Sequence, residues 1–326
     1  MLPSFFHSLA TAAAAAFLTG TVSAYAVPQA CSGICTNAHD PTIVLRGDGT
    51  YFRLSTGGKI AIHSAPSIRG PWAYVGAALP AGSTINKAGR DDLWAPEVVK
   101  RGNEYYMYYS VSTSGSQDSA IGVATSADLV SWRDHGSTGI ESARGVAYNA
   151  IDPHVLKQAD GSFVMTFGSW WKDLHTVPMQ NPPHRVAAGA APRQIAYDPV
   201  TTAVEGGFVF PWAGYFYLFY SKGACCGFDR NRPVPGAEYK IMACRSSSPT
   251  GGFVDRSGAD CTRGGGTVVY ESFQFVYGPG GQGVFNDPVE GPILYYHFID
   301  TRIGFADGQK RFGWNRIDFS SGWPVV

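Results

Sequence analysis

The chain has 326 residues, sets 25 Lys and Arg against 25 Asp and Glu, and is only 15% charged. Such a balance leaves no electrostatic footprint for nucleic acid or for an anionic membrane surface. What the chain has in excess is Gly (40), Tyr (17), Phe (19) and Trp (8), which suits short strands, tight turns and a surface that stacks on flat apolar faces of a ligand.

Residues 1–24 read as a secretory leader. An Ala-rich apolar run at 9–18, too short to span a bilayer, precedes the small-residue cleavage pattern Val22-Ser23-Ala24. The mature chain is expected to be a single domain over 25–326, secreted, with no other membrane segment. The six cysteines agree with an oxidising compartment. Proximity favours Cys31 with Cys35 and Cys244 with Cys261, while a vicinal bridge and two free thiols are both open for Cys225 and Cys226. No Asn-X-Ser/Thr occurs, so N-glycosylation is not expected.

Beyond the leader there is no long helical period, only short β-branched and aromatic runs between Gly, Pro, Ser and Asp. Strands are predicted at 51–55 and 60–65, closed by Trp72, and at 105–110 and 120–126, closed by Trp132. A third set at 215–221 and 239–246 is closed by Phe253. These closing aromatics are spaced by one and two steps of about sixty residues, the mark of radial repetition. The expected fold is therefore all-β, a five-bladed β-propeller rather than a β-sandwich, with fainter blades near 155–200 and 265–320.

Innermost propeller strands surround one channel, so residues far apart in sequence can meet at its mouth. Three carboxylates are candidates for that place. Asp40 lies in Ala-His-Asp-Pro-Thr-Ile-Val-Leu (38–45), Asp152 in Tyr-Asn-Ala-Ile-Asp-Pro-His-Val-Leu (148–156) and Glu205 in Ala-Val-Glu-Gly-Gly-Phe-Val-Phe (203–210). In such apolar or glycine-rich settings a lone carboxylate costs several kcal/mol or shifts its pKa upward. Opposed carboxyl groups of this kind are what glycosidic bond cleavage requires, one as acid and one as base. Asp198 and Asp287, which also precede proline, read as turn residues among polar or glycine-rich neighbours. His297 alone reads as a satisfied core histidine, and Trp94 beside Pro96 as a rigid stacking wall. The tracts Gly206-Gly207, 264–266 and 278–283 read as turns between strands. Zinc-ligand spacing, a Gly-X-Ser-X-Gly elbow and a phosphate loop are all missing from the sequence.

Several short motifs stand in one order: His39-Asp40-Pro41, Leu93-Trp94-Ala95-Pro96-Glu97, Ser119-Ala120-Ile121-Gly122, Asn149-Ala150-Ile151-Asp152-Pro153 and Phe167-Gly168-Ser169-Trp170. Cys225-Cys226, Gly264-Gly265-Gly266-Thr267 and Gly322-Trp323-Pro324 follow. Together they resemble the endo-1,5-α-L-arabinanases of glycoside hydrolase family 43, the secreted fungal ones in particular, over essentially the whole mature chain. The resemblance implies hydrolysis of α-1,5-linked arabinan, a pectin side chain, with inversion. It implies Asp40 as general base, Glu205 as general acid, and Asp152 as the group that raises the pKa of Glu205 and orients it. It also implies substrate contacts at Trp94, Asn149, Phe167, Gly168, Ser169 and Trp170, and a calcium ion near His297 held largely through waters. No organic cofactor is expected, and the partners are linear arabinan and arabino-oligosaccharides, met by a monomer. This chain departs from many relatives in lacking a proline two residues after Glu205 and in reading Gly278-Pro279-Gly280-Gly281 where Gly-Pro-Gly-His is common. Two rival readings remain. One is an exo-acting arabinofuranosidase or β-xylosidase on the same fold, decided by whether loops 173–194 and 223–238 leave a groove or a pocket. The other is a non-catalytic sugar-binding propeller.

Overall fold

The computed structural model describes residues 25–326, so the leader expected at 1–24 lies outside the described residues. Five antiparallel sheets follow one another in chain order. The first holds β1 (His39–Leu45), β2 (Tyr51–Thr56), β3 (Ala61–Ala65) and β4 (Ala73–Ala77). The second holds β5 (Leu93–Arg101), β6 (Glu104–Val111), β7 (Ser119–Ser126) and β8 (Arg133–Ser142). The third holds β9 (His154–Lys157), β10 (Phe163–Phe167), β11 (Leu174–Met179) and β12 (Arg193–Ala196). The fourth holds β13 (Val204–Trp212), β14 (Tyr215–Lys222), β15 (Lys240–Ser246) and β16 (Thr267–Tyr270). The fifth holds β17 (Val276–Asp287), β18 (Gly291–Asp300) and β19 (Arg311–Arg316). The only helices among the described residues are single 3-10 turns at Cys261–Arg263 and Asp307–Gln309.

The sheets pack as blades because their middle strands are apolar on both faces. β6 reads Glu-Tyr-Tyr-Met-Tyr-Tyr-Ser-Val and is buried after its first residue, and β7 is buried throughout. Side chains alternate across a strand. Tyr105, Met107 and Tyr109 thus pack against Phe52, Leu54 and Ile62 of the first blade. Tyr106 and Tyr108 point the other way, to Val155, Phe163 and Met165 of the third. The remaining cores repeat this arrangement: one between the third and fourth blades, one between the fourth and fifth, and one between the fifth and first. The core is thus five interblade layers, and burial alone favours closing the ring.

The first strand of each blade touches its counterparts on both sides, β1 with β5 and β17, β5 with β9, β9 with β13, β13 with β17. These are the walls of the channel. The fifth blade lacks a fourth strand of its own chain order and takes the N-terminal segment instead. Gln29 N–H donates to Trp314 O (2.9 Å), Phe312 N–H to Cys35 O (2.8 Å) and Ala38 N–H to Lys310 O (3.2 Å). The Cys31–Cys35 disulfide lies in this segment, Cys244–Cys261 ties β15 to a 3-10 turn, and Cys225–Cys226 forms a vicinal bridge.

One expectation about the glycine tracts needs correction. Gly206-Gly207 and the tract at 278–283 are not turns between strands; they lie inside β13 and β17, two of the channel walls. There the missing side chains make room for close neighbours, the other use of strand glycine. Asp287 does sit at a turn, its Oδ1 accepting from Val289 N and Glu290 N (both 2.8 Å). Asp198 likewise accepts from Val200 N (2.9 Å).

Candidate active site

Each channel strand enters its blade through a residue of left-handed backbone: Asp40 (φ 43°), Ala95 (45°), Asp152 (56°), Gly206 (64°) and Gly281 (55°). The next residue is a proline in the first three blades (Pro41, Pro96 and Pro153), Gly207 in the fourth and Gln282 in the fifth. In β1, β5, β13 and β17 the pairing register slips at this point. Bulges re-aim side chains in this way. All ten of these residues line one cleft at the channel mouth, together with Glu97, His154, Phe208, Tyr239 and Tyr295. Asp is among the few side-chain-bearing residues that tolerate left-handed backbone, which suits the entry position in the first and third blades.

Asp40 is held from three sides. Its Oδ2 accepts from Thr56 Oγ1 (2.9 Å) and lies 2.6 Å from His39 Nδ1. Its Oδ1 is 3.4 Å from His297 Nδ1, and its backbone N–H donates to that same nitrogen (3.1 Å). Burial opposes the charge on Asp40, but the imidazoles of His39 and His297 outweigh it and hold the carboxyl well below its usual range. A Cβ on Gly281 would run into Asp40 Oδ1 and the His297 ring, so glycine is required there.

The other two carboxylates shift the opposite way. Burial pushes Asp152 well above the ordinary range, and the charges of Glu205 and Asp40 add to it. Asp152 Oδ2 accepts from the backbone N–H of Gly206 (3.2 Å), the residue after Glu205. Burial also raises Glu205, helped by Asp40; hydrogen bonds from Ser169 and Tyr239 pull back without reversing the direction. Ser169 Oγ donates to Glu205 Oε2 (2.5 Å) and Tyr239 OH to Oε1. Burial, then the carboxylates, keep the Tyr239 phenol protonated far above neutral pH. One carboxylate here is thus held toward its ionised form by donors, while a neighbouring carboxyl pair is pushed toward the protonated form.

The remaining expected contacts separate. Trp170 is 42% exposed and Trp94 partly exposed, its indole N–H donating to Asp92 (3.3 Å). Both can meet a ligand. Trp171, which the sequence did not single out, is 38% exposed beside Trp170. Asn149 and Phe167 are corrected. Asn149 is buried, accepting from Ser119 Oγ (2.7 Å), and Phe167 is fully buried against Tyr148 and His175. Neither side chain lines the cleft. Ser169 is also buried and acts on Glu205. Gly168 (φ 125°) leaves space that a Cβ would fill by striking Asp173 O. His297 is fully buried and neutral, its pKa lowered to about 3 by burial with His39 and Lys310 adding, and its Nε2 has no partner. Among the described residues, His39, Asp40 and His297 form one cluster able to hold a metal ion. Tyr239, His39, Thr56 and Lys310 had gone unassigned. The one signal pointing to His39 is its place beside Asp40.

Residues 34–324 match the model of glycosyl hydrolases family 43. A protein of Aspergillus clavatus described as a probable arabinan endo-1,5-α-L-arabinosidase A is 58% identical over 315 residues, covering 95% of this chain and 97% of its own. The arabinan endo-1,5-α-L-arabinosidase A of Aspergillus niger is 55% identical over 324 residues, covering 98% of this chain and all of its own. Among solved structures, the family 43 endo-arabinanase of Bacillus licheniformis superposes with a TM-score of 0.80 at 29% identity, covering 91% of this chain and 99% of that one.

Proposed function

Since this chain belongs to glycosyl hydrolases family 43, we propose that its channel mouth cleaves internal α-1,5 linkages of linear arabinan by single displacement with inversion. The protein is an endo-acting arabinan hydrolase, in keeping with relatives of that description at 55–58% identity. The observation that carries the mechanism is the opposite ionisation of its carboxyls: Asp40 is held charged by donors, while Asp152 and Glu205 are pushed toward the protonated form.

Asp40 acts as the general base. Its Oδ2 is committed to His39 and Thr56, so Oδ1 is the oxygen left to take a proton from water. Glu205 protonates the departing sugar oxygen, and the Ser169 and Tyr239 hydroxyls fix its direction and stabilise the carboxylate left behind. Asp152, bound to the Gly206 N–H, holds Glu205 in place and keeps a proton on the pair by repulsion. Exposed Trp170 and Trp171 offer faces for sugar rings beside the acid.

A calcium ion fits this mouth in a water-rich form: among the buried nitrogens without a partner, His297 Nε2 is the one that belongs to the Asp40 cluster, and a hard cation otherwise takes oxygen. When bound, it would supply fixed positive charge among the carboxylates. We place the enzyme outside the cell as a monomer, a location supported by three disulfides and by the apolar leader sequence. Digestion of debranched arabinan tests the whole reading. Internal cleavage gives a falling ladder of oligosaccharides, and proton NMR during turnover shows the anomer opposite to the substrate's. Arabinose as the sole early product, or retained configuration, would replace it with the exo-acting or double-displacement alternative.

A further inference from the structure

The side chain of Lys310 is fully buried, and its surroundings account for all three of its protons. Nζ lies 2.5 Å from His39 Nε2, 3.2 Å from Asp307 Oδ1 and 3.6 Å from the sulfur of Cys226 in the vicinal bridge. Asp307 is itself fixed by the backbone N–H of Gly227 (3.1 Å to Oδ2). This chain of contacts crosses the seam where β19 meets the start of β1, and it ends on Asp40 Oδ2, the oxygen that also accepts from Thr56.

An ammonium only donates. Lys310 Nζ faces the Asp307 carboxylate on one side and His39 Nε2 at 2.5 Å on the other, so it donates to both and His39 Nε2 presents its lone pair. The proton of the neutral ring then sits on Nδ1, where it donates to Asp40 Oδ2 at 2.6 Å. Which nitrogen of a histidine carries the proton is set by what the other one meets. Here the other one meets Lys310. His39 also packs on His297 (ring centroids 4.3 Å, planes tilted by 32°), which limits the freedom of its ring.

We propose that Lys310 and His39 are positioning residues for hydrolysis: Lys310 locks the His39 tautomer, and His39 locks the Asp40 carboxylate with Oδ1 turned to the attacking water. No covalent step is added, and neither residue touches substrate. The reading rests on Asp40 as the base.

Two experiments test it. In the wild-type enzyme labelled with 15N-histidine, the His39 ring shows the Nδ1–H tautomer, with a proton on Nδ1 and a bare Nε2. A resting Nε2–H ring overturns the relay whatever any variant does. Lys310→Met then shifts His39 toward the other tautomer and lowers kcat about 10–100-fold with KM within about twofold, the size expected when a supporting contact lets a reacting group drift. In His39→Asn the amide supplies the donor to Asp40 without a second nitrogen, so adding Lys310→Met to it lowers kcat by less than about threefold further. An unchanged kcat in Lys310→Met, or full additivity in the double variant, overturns the proposal; should Lys310→Met not fold, the wild-type tautomer decides. Asp40→Asn separates the two layers: if it keeps activity the base assignment fails, whereas an Nε2–H ring with inactive Asp40→Asn condemns only the relay.

Discussion

The channel mouth and the seam between the fifth and first blades both bury charge, and they treat it in opposite ways. At the mouth Asp40, Asp152 and Glu205 meet hydroxyls, imidazoles and a backbone N–H. At the seam Arg53 is fully buried between the rings of Trp72 and Phe312, its guanidinium 5.1 and 5.2 Å from their centroids. It has one hydrogen bond, from Nη2 to Ile34 O (2.9 Å), and two unpartnered nitrogens. Burial lowers it to about 9. The seam uses the stem and flat face of arginine as filling that anchors the N-terminal segment, with cation–π attraction offsetting part of the desolvation. The mouth gives its charges partners that set the protonation state. Buried charge thus marks chemistry where its neighbours discriminate between protonated and ionised forms, and packing where they do not.

Substitutions should break this contrast cleanly. Glu205→Gln and Asp40→Asn should each lower kcat on linear arabinan by about 10²–10⁴-fold, with thermal unfolding within a few degrees of wild type. Near-normal turnover in either removes that residue from the mechanism. At the seam the effect should appear in stability alone. Arg53→Ala leaves a cavity beside Trp72 and should cost roughly 2–5 kcal/mol. Arg53→Met keeps the volume and loses the desolvated charge, so its melting temperature should match or exceed that of wild type. A loss of kcat in Arg53→Met with stability intact would mean that the seam reaches the mouth electrostatically.

His63 reports on the same seam. It is buried beside Tyr74, and burial, then the Arg53 charge, lower it to about 4. The unfolded chain takes up this proton near pH 6.5 and the folded chain does not, so stability is untouched above pH 6.5 and falls as pH drops toward 4. The loss should reach on the order of 2 kcal/mol by pH 5, since each unit of pKa difference is worth about 1.4 kcal/mol. Melting curves at pH 7 and pH 5 should show a smaller drop for His63→Gln than for wild type. An equal drop would place the acid sensitivity elsewhere.

Much of this was legible in the sequence, and the failures have physical causes. Aromatic and β-branched runs marked β2, β6, β7, β14 and β15, because middle strands buried on both faces must be apolar. The faint third and fifth blades fell close to where the sixty-residue step put them. Gly278 to Gly283 misled because glycine usually signals a turn, whereas here Gly280 and Gly281 make room for Tyr239 and Asp40. The entry repeat at 40, 95, 152, 206 and 281 was on view in Asp-Pro-x-Ile, Ala-Pro-x-Val, Asp-Pro-x-Val, Gly-Gly-x-Val and Gly-Gln-x-Val. It escaped notice because its first position shares a backbone conformation rather than a side chain. Asn149 and Phe167 stand in the right motifs, but whether a side chain faces the ligand or the next blade depends on strand direction. Tyr239 had no local signal at all, since its partner Glu205 lies 34 residues away and they meet only across the blade.

The smallest effect bears on the division of labour within the carboxyl pair. In the proposed mechanism Glu205 carries the proton that releases the leaving sugar, so activity should be retained below the pKa of the pair and lost as pH rises through it. Burial raises both members; the charge of Glu205 adds to Asp152, and that of Asp40 adds to Glu205. Asp152→Asn keeps an oxygen for the Gly206 N–H but removes the charge, so Glu205 gives up its proton more readily. The basic limb of the kcat profile should move to lower pH. The acidic limb should stay in place, because Asp40 is held well below the usual carboxylate range by His39 and His297. A basic limb that does not move would show that the working proton is held against something other than Asp152. Burial of Glu205 would then be sufficient to make it an acid, and Asp152 would serve geometry alone.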